Sequence, residues 1–195
     1  MALLNYVVEK SPATYGLPEV MNQGKAWFRA RDFLLDVTTP PAILAVLGTT
    51  AQCQYEVLGF DKDAAEYVHL QIPSFPDMWY DKPDLQAYIY WVANATSGDC
   101  FWDAKLNAAA SGEVVNAAGS AVTAVGTTTA GTAYYLNITR LDLSAETFEE
   151  GDLLHWLLFR DATNAGDTLA VDADLIGALV CYNRGSGEGF NSQSG

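Results

Sequence analysis

Residues 85–108 read LQAYIYWVANATSGDCFWDAKLNA, and this stretch decides the fold class. From Leu85 to Asn94 the side chains alternate, with apolar residues on one face and mostly polar or tyrosine residues on the other, which is the period of a β-strand. The alternation resumes from Asp99 to Ala108, after a four-residue turn that ends in Gly98. We therefore predict a β-hairpin with Trp91 and Trp102 on its inward side.

Short segments of the same kind, separated by Gly, Pro, Asp and Asn, continue along most of the chain. No helical period extends beyond about two turns, so amphipathic helices between the strands are not expected. The pattern predicts an all-β, jelly-roll-like antiparallel β-sandwich of about eight strands. The predicted strands are Gln54–Phe60, Glu66–Ile72, Leu85–Asn94, Asp99–Ala108, Ala121–Val125, Tyr134–Leu143, Gly151–Arg160 and Thr168–Tyr182.

The composition divides the chain into three zones. Its length of 195 residues fits one sandwich with extensions. Residues 1–50 mix turn residues with apolar patches and are predicted to form an extended, irregular N-terminal arm, with a short helix or strand at Ala26–Asp36. Residues 51–182 are assigned to the β-sandwich domain. Residues 183–195 form a Gly/Ser-rich C-terminal tail, which has too few apolar side chains to build a core.

The charge balance limits the possible partners. Twenty-four acidic residues face ten basic ones, for a net charge of −14. A chain this acidic repels nucleic-acid phosphates and anionic lipid, so we expect it to bind neither nucleic acid nor membrane. The N-terminus lacks the pattern of a signal peptide, which predicts synthesis in the cytoplasm. Cys53, Cys100 and Cys181 are interpreted as buried thiols rather than a disulfide or metal site.

The sequence offers little chemistry. His69 and His155 each sit in the middle of a strand, and we interpret them as sheet-face histidines satisfied by a neighbour. Asp61 and Asp63 are expected to be solvated turn carboxylates rather than Ca²⁺ ligands. No catalytic motif is present, so we predict no catalytic residue, no metal, no cofactor and no enzymatic activity. A polysaccharide hydrolase or lyase would need a paired acid and base in a cleft, and the sequence identifies no such pair.

The late strands carry apolar residues on both faces, although a two-layer sandwich needs only one. The second face is therefore expected to be covered by the N-terminal arm, by another subunit or by both. Exposed aromatics at Trp79 and Tyr80 would suit a glycan platform, although the same rings would also suit packing against their own domain. The candidate partner-binding residues are Trp27, Phe28, Leu154, Trp156, Leu158, Ile176 and Val180.

The region from about Gln52 to Tyr182 resembles a family of small jelly-roll proteins of tailed bacteriophages, which serve as head decoration (cement) or fibre-like virion components. The resemblance depends on the order and spacing of short motifs. These motifs are Phe60-Asp61, Glu66-Tyr67-Val68, Tyr90-Trp91, Ser97-Gly98, Trp102, Gly151-Asp152-Leu153, Arg160-Asp161 and 167–173.

The resemblance implies a non-enzymatic structural protein of the virion. It would lie on the capsid surface as a homotrimer, dock on the major capsid protein and stabilise the phage head. The alternative, on the same fold, is a receptor- or glycan-binding fibre or tail component. Both alternatives stay open at the level of sequence.

Overall fold

The structure is a computed structural model that describes residues 23–45, 55–73, 85–147 and 149–184. Within these ranges the only helix is a 3-10 turn at Ala30–Asp32, and none is long and apolar enough to cross a membrane. The strands are β1 (Gln23–Arg29), β2 (Leu34–Leu35), β3 (Ala42–Ala45), β4 (Glu56–Phe60), β5 (Tyr67–Pro73), β6 (Gln86–Val92), β7 (Asp99–Ala109), β8 (Ser120–Ala121), β9 (Val125–Thr128), β10 (Asn137–Asp142), β11 (Leu153–Arg160) and β12 (Ala173–Asn183).

The strands form two antiparallel sheets of six strands each. In sheet A the order is β10-β6-β12-β4-β3. β4 pairs with the N-terminal end of β12, and β1 pairs with the C-terminal half of the same edge of β12. In sheet B the order is β2-β5-β11-β7-β8, and β9 pairs with the start of β7. The all-β, jelly-roll-like sandwich predicted from the sequence is confirmed.

The core lies between the sheets and is built from the inward face of each strand. Trp91 comes from sheet A, Trp102 and Trp156 come from sheet B, and all three are completely buried. Phe60 packs edge-to-face on Trp102, with the ring centroids 5.0 Å apart. Aromatic pairs of this geometry stabilise a core beyond the area that they bury.

The predicted hairpin between β6 and β7 is wrong. Both strands form at the predicted place, but β6 belongs to sheet A and β7 to sheet B. Gly98, with φ of 110°, turns the chain from one sheet to the other. Trp91 and Trp102 therefore meet across the core, with their centroids 6.4 Å apart. Alternation assigns an inward face to each strand, and a sandwich satisfies that pattern as well as a hairpin does.

Part of the predicted N-terminal arm falls within the described residues. Residues 23–45 contribute β1, β2 and β3, and the predicted element at Ala26–Asp36 consists of most of β1, the 3-10 turn and β2. β1 pairs with β12 along its whole length, from Gln23 opposite Asn183 to Arg29 opposite Gly177. In the described part of the chain, the sandwich therefore begins at Gln23. The tail beyond residue 184 lies outside the described residues.

Candidate binding surface

The predicted partner-binding residues divide between the core and the surface. Leu154, Trp156, Leu158 and Val180 are at most 2% exposed because they point into the core between the sheets. The structure therefore corrects their assignment, since one folded copy already buries them. In the sequence, both faces of these strands are apolar, so the pattern does not distinguish the inner face from the outer one.

The remaining candidates lie on β1 and β12. Phe28 is half-buried and packs against the core, whereas Trp27 points to the opposite side and is 45% exposed. Ile176 is half-buried, at a register shift of β12 against β6 between Leu175 and Gly177. Trp79 and Tyr80 lie outside the described residues. Of the predicted set within the described residues, Trp27 is thus the most exposed large side chain.

Trp27 lies on the edge strand β1, at one end of an apolar surface on the outer face of sheet A. Its ring meets that of Tyr90 edge-to-face, with the centroids 5.1 Å apart and the planes at 85°. The two residues belong to β1 and β6, which flank β12, so the ring of Trp27 extends over Gly177. A Cβ at Gly177 would lie 2.8 Å from Cζ2 of Trp27, and the glycine therefore makes room for the indole.

The surface continues across β6 to β10. Ile138 lies directly opposite Tyr90 in the strand register and is partly exposed. Tyr134, Tyr135 and Leu136, in the segment that enters β10, are each about half exposed. We call Trp27, Tyr90, Tyr134, Tyr135, Leu136 and Ile138 the aromatic patch.

Tyr134 is held in an unusual backbone conformation. Its φ is 62°, and among the described residues it is the only non-glycine residue in the left-handed region. Its backbone N–H donates to the carbonyl oxygen of Ala93 at 2.8 Å, which ties the loop to the end of β6. Such conformations cost roughly 1–3 kcal/mol and concentrate at functional sites.

Asp174 lies beside the patch and is 7% exposed. Its strand neighbours Ala173 and Leu175 belong to the core, so its carboxyl group is on the outer side of β12. Burial, followed by the charge of Asp172, raises its pKa to about 6. Burial raises the pKa of Tyr55, and the charges of Asp174 and Tyr134 raise it further. Within the described residues, the carboxyl group of Asp174 makes no hydrogen bond.

The two histidines form a second polar cluster, on the outer face of sheet B. Nδ1 of His69 lies 3.2 Å from Nε2 of His155, and Nε2 of His69 lies 3.1 Å from a carboxylate oxygen of Asp36. Burial and the charge of His69 lower the pKa of His155. A backbone hydrogen bond to Val115 raises this pKa and partly offsets the two other effects. The prediction that each histidine is satisfied by a neighbour is confirmed.

The acidic turns also serve the fold. Asp61 accepts hydrogen bonds from the backbone N–H groups of Asp63 and Ala64, as in an Asx turn. Asp172 accepts one from the backbone of Lys62 at 3.1 Å. Among the described residues, no cluster of three or more His, Cys, Asp or Glu side chains is arranged to hold a metal ion. Cys100 and Cys181 are buried thiols outside any disulfide, as predicted, and Cys53 lies outside the described residues.

Sequence reasoning identified Trp27 but missed its partners. Tyr90 was assigned correctly to the outer face of its strand, without any indication that Trp27 would reach it. The alternation predicts a strand that begins at Tyr134, whereas β10 begins at Asn137. The sequence signal for this part of the surface is the run Tyr134-Tyr135-Leu136. The alternating strand that follows already provides the inward-facing side chains, so three further large side chains directly before it indicate an exposed apolar segment.

The chain matches no protein-family model and no curated protein. Among solved structures, it is similar to an exo-β-1,3-galactanase from Phanerochaete chrysosporium, with 12% identity and a TM-score of 0.49 over 80% of this chain and 29% of the enzyme. A family 35 carbohydrate-binding module from Clostridium thermocellum is 8% identical, with a TM-score of 0.42 over 80% of this chain and 97% of the module. The C-terminal CBM6 of a laminarinase from Zobellia galactanivorans is 9% identical, with a TM-score of 0.42 over 80% of this chain and 98% of the module. These likenesses concern the β-sandwich fold and assign no ligand to this chain.

Proposed function

We propose that this chain is a non-enzymatic glycan-binding protein whose ligand lies on the aromatic patch. The observation that carries the proposal is the exposed indole of Trp27, held edge-to-face by Tyr90 on the outer face of sheet A. Aromatic rings offer a large, rigid apolar surface at a small cost in conformational entropy. The C–H-rich face of a pyranose ring fits such a surface, while its hydroxyl groups remain available for polar neighbours.

The setting of the patch also favours binding. Monomeric proteins seldom leave a contiguous cluster of large apolar side chains in water unless it meets a ligand or partner. Tyr134 holds a costly backbone conformation at the edge of the patch. Asp174 adds a buried carboxyl group that makes no hydrogen bond within the described residues and is suited to accept one from a sugar hydroxyl.

The proposal is tested by screening the full chain on an array of neutral and acidic glycans, followed by titration of the strongest ligand. We expect Trp27→Ala to weaken binding at least roughly tenfold, as truncation of an aromatic anchor does. Trp27→Phe should retain more of the affinity because it keeps a ring. Leu34→Ala is the matched control, since Leu34 is 57% exposed on the other sheet. An array without a response, or equal affinity after Trp27→Ala, would contradict the proposal.

A capsid-decoration role stays a prediction. It draws on the resemblance stated above and on the aliphatic members of the patch, Leu136 and Ile138, which a protein partner would cover as readily as a glycan would. In that role the chain would form a homotrimer, bind the major capsid protein and lie on the capsid surface of the virion.

A further inference from the structure

The two histidines of the chain meet on the outer face of sheet B. The sequence contains no other histidine, and the two are 86 positions apart. His69 lies on β5 and His155 on the neighbouring strand β11, and Nδ1 of the first ring is 3.2 Å from Nε2 of the second. Two imidazole nitrogens that share one tetrahedral zinc ion lie about 3.3–3.4 Å apart, because each Zn–N bond is about 2.0–2.1 Å long. The spacing therefore fits a shared metal ion as well as an N–H···N hydrogen bond.

The second ring nitrogen of His69 is held by a carboxylate. Nε2 lies 3.1 Å from Oδ2 of Asp36. Hydrogen bonds from the backbone N–H groups of Thr39 and Thr38, followed by the one from the imidazole, lower the pKa of this carboxyl group to about 2. Asp36 is therefore charged at neutral pH and can only accept, so Nε2 of His69 is the donor. In the neutral ring, which carries a single N–H, this leaves Nδ1 with a lone pair that faces His155.

The second ring nitrogen of His155 is held from the other side. Burial and the charge of His69 lower the pKa of His155, and a hydrogen bond to the backbone of Val115 opposes them. A bond that favours the charged imidazole is one that the ring donates, so the acceptor is the carbonyl oxygen of Val115. The same oxygen accepts from the side chain of Asn107 on β7, whereas His69 lies on β5, and these strands flank β11 on opposite sides. His155 therefore donates from Nδ1, and in the neutral ring its Nε2 presents a lone pair to His69.

The two facing nitrogens consequently need a cation between them. Two lone pairs 3.2 Å apart repel each other when both rings are neutral. A proton removes this repulsion when one ring is charged, and a metal ion removes it when both are neutral. Hydrogen bonds from the outer nitrogens to a carboxylate and to a backbone carbonyl are also the contacts that orient metal-binding histidines.

A cavity of about 80 Å³ opens beside the two rings. Leu157, residues 105–107 of β7 and residues 117–119 of the following loop form its other walls. The space suits a few water molecules or a small anion, which would complete the coordination of a bound ion. Lys105 at this wall is exposed, so water screens its charge, and the net charge of −14 favours cations over the molecule as a whole.

We propose that His69 and His155 bind a divalent transition-metal ion through Nδ1 and Nε2 respectively, with ligands from the cavity in the remaining positions. Asp36 is a positioning residue that keeps Nδ1 of His69 free of its hydrogen. Imidazole nitrogens suit zinc, copper and nickel, whereas Ca²⁺ and Mg²⁺ prefer oxygen ligands. The site lies on the sheet opposite the aromatic patch and is independent of the glycan proposal. The sequence predicts no metal because two ligands from separate strands have no local spacing.

The test is a calorimetric titration of the full chain, without a polyhistidine tag, with Zn²⁺, Ni²⁺ and Cu²⁺ at neutral pH. We expect one ion to bind per chain, with Cu²⁺ the tightest. His69→Asn and His155→Gln should each weaken binding at least roughly tenfold, since each removes one ligand. Asp142→Asn, which removes a carboxylate from the outer face of sheet A, is the matched control and should leave binding unchanged. Lowering the pH to about 5 should abolish binding, because protons then occupy the imidazoles.

Asp36→Asn tests the supporting hydrogen bond without removing a ligand. Its Oδ1 still accepts from the backbone of Thr38 and Thr39, while its amide N–H₂ replaces the acceptor opposite Nε2 of His69. The ring then accepts at Nε2 and carries its hydrogen on Nδ1, so it loses the lone pair that a metal needs. We expect the metal affinity to fall roughly tenfold while the melting temperature of the metal-free protein changes little. A merely structural role would lower the melting temperature instead.

Proton NMR of the unaltered protein provides a second measurement, because only two sets of histidine ring signals are present and Zn²⁺ should shift both. Signals that do not move, or binding that survives both histidine substitutions, overturn the proposal. Equal loss in Asp142→Asn and in the histidine variants reduces the effect to attraction by acidic side chains and also contradicts it. An unchanged affinity in Asp36→Asn overturns the tautomers on which the site depends. The NMR measurement needs no variant, so a substitution that fails to fold leaves the test intact.

Discussion

Asp174 lies on the outer side of β12, between two core residues, and is 7% exposed. Burial, with a smaller contribution from Asp172, raises its pKa from 3.8 to about 6, because a charged carboxylate is poorly solvated there. A carboxyl group whose folded pKa lies above its unfolded value binds protons more tightly in the folded state. Its contribution to stability is therefore fully present below about pH 4 and is lost as the pH rises through 6.

Replacing this residue should stabilise the protein at neutral pH. We expect Asp174→Asn to raise the free energy of unfolding at pH 7 by about 2–3 kcal/mol, from a pKa difference of roughly two units. At pH 4 the gain should be small, since the wild-type carboxyl is then protonated in the folded state. Urea denaturation across pH 4–7 measures the effect, and Asp63→Asn, at an exposed turn, is the control. An equal effect at both ends of the pH range would contradict the assignment.

The connection from β11 to β12, residues 161–172, is held by the last residue of β11. Arg160 is completely buried and forms a two-pronged salt bridge with Asp167, at 3.0 Å and 2.7 Å. It also donates to the carbonyl oxygens of Leu169 and Val171. Asp167 in turn accepts a hydrogen bond from the backbone of Phe101 on β7, so one ion pair ties the connection to sheet B. The motif Arg160-Asp161 with 167–173, noted in the sequence, thus has a structural role.

Removing one partner of this pair should be costly. Asp167→Ala leaves a buried guanidinium without a counter-charge, and we expect a loss of about 3–5 kcal/mol in the free energy of unfolding. Asp167→Asn keeps part of the hydrogen bonding and should lose less, which preserves a folded variant for measurement. Asp32→Ala breaks the exposed pair with Arg29 and should change stability by less than about 1 kcal/mol. Chemical denaturation distinguishes the three, and equal losses at the two sites would refute the assigned role of Arg160.

At the scale of the whole molecule, the chain repeatedly changes sheet. From β4 to β7, and again from β10 to β12, consecutive strands lie in opposite sheets. The outer faces of the late strands are partly covered within one copy. Phe159 packs its ring on Tyr67 at 5.1 Å, while Leu153 and Leu157 remain half-buried. The apolar second face from which an assembly was predicted is therefore present, although reduced.

The predicted homotrimer can be tested directly. Sedimentation of the purified chain at micromolar concentration should give three times its mass of 21.1 kDa if the half-buried outer faces meet between copies. Binding to empty phage capsids, with and without a competing glycan, would then test the decoration role. A protein that stays monomeric and does not bind to capsids contradicts the assembly prediction. Such a result leaves the glycan proposal untouched, because the aromatic patch is complete within one chain.

The sequence by itself determined the all-β class, most strand positions and the inward placement of Trp91 and Trp102. Those features follow from local alternation and from turn residues such as Gly98, which act over a few neighbouring positions. Only the tertiary structure decided which strands pair and which side chains meet. Trp27 and Tyr90 are far apart in the chain, and their contact exists because β1 and β6 both flank β12 with Gly177 between them. Period-two alternation shows which side chains of a strand point inward, but it does not show which strands pair with that strand. A surface assembled from three strands therefore has no local signature in the sequence.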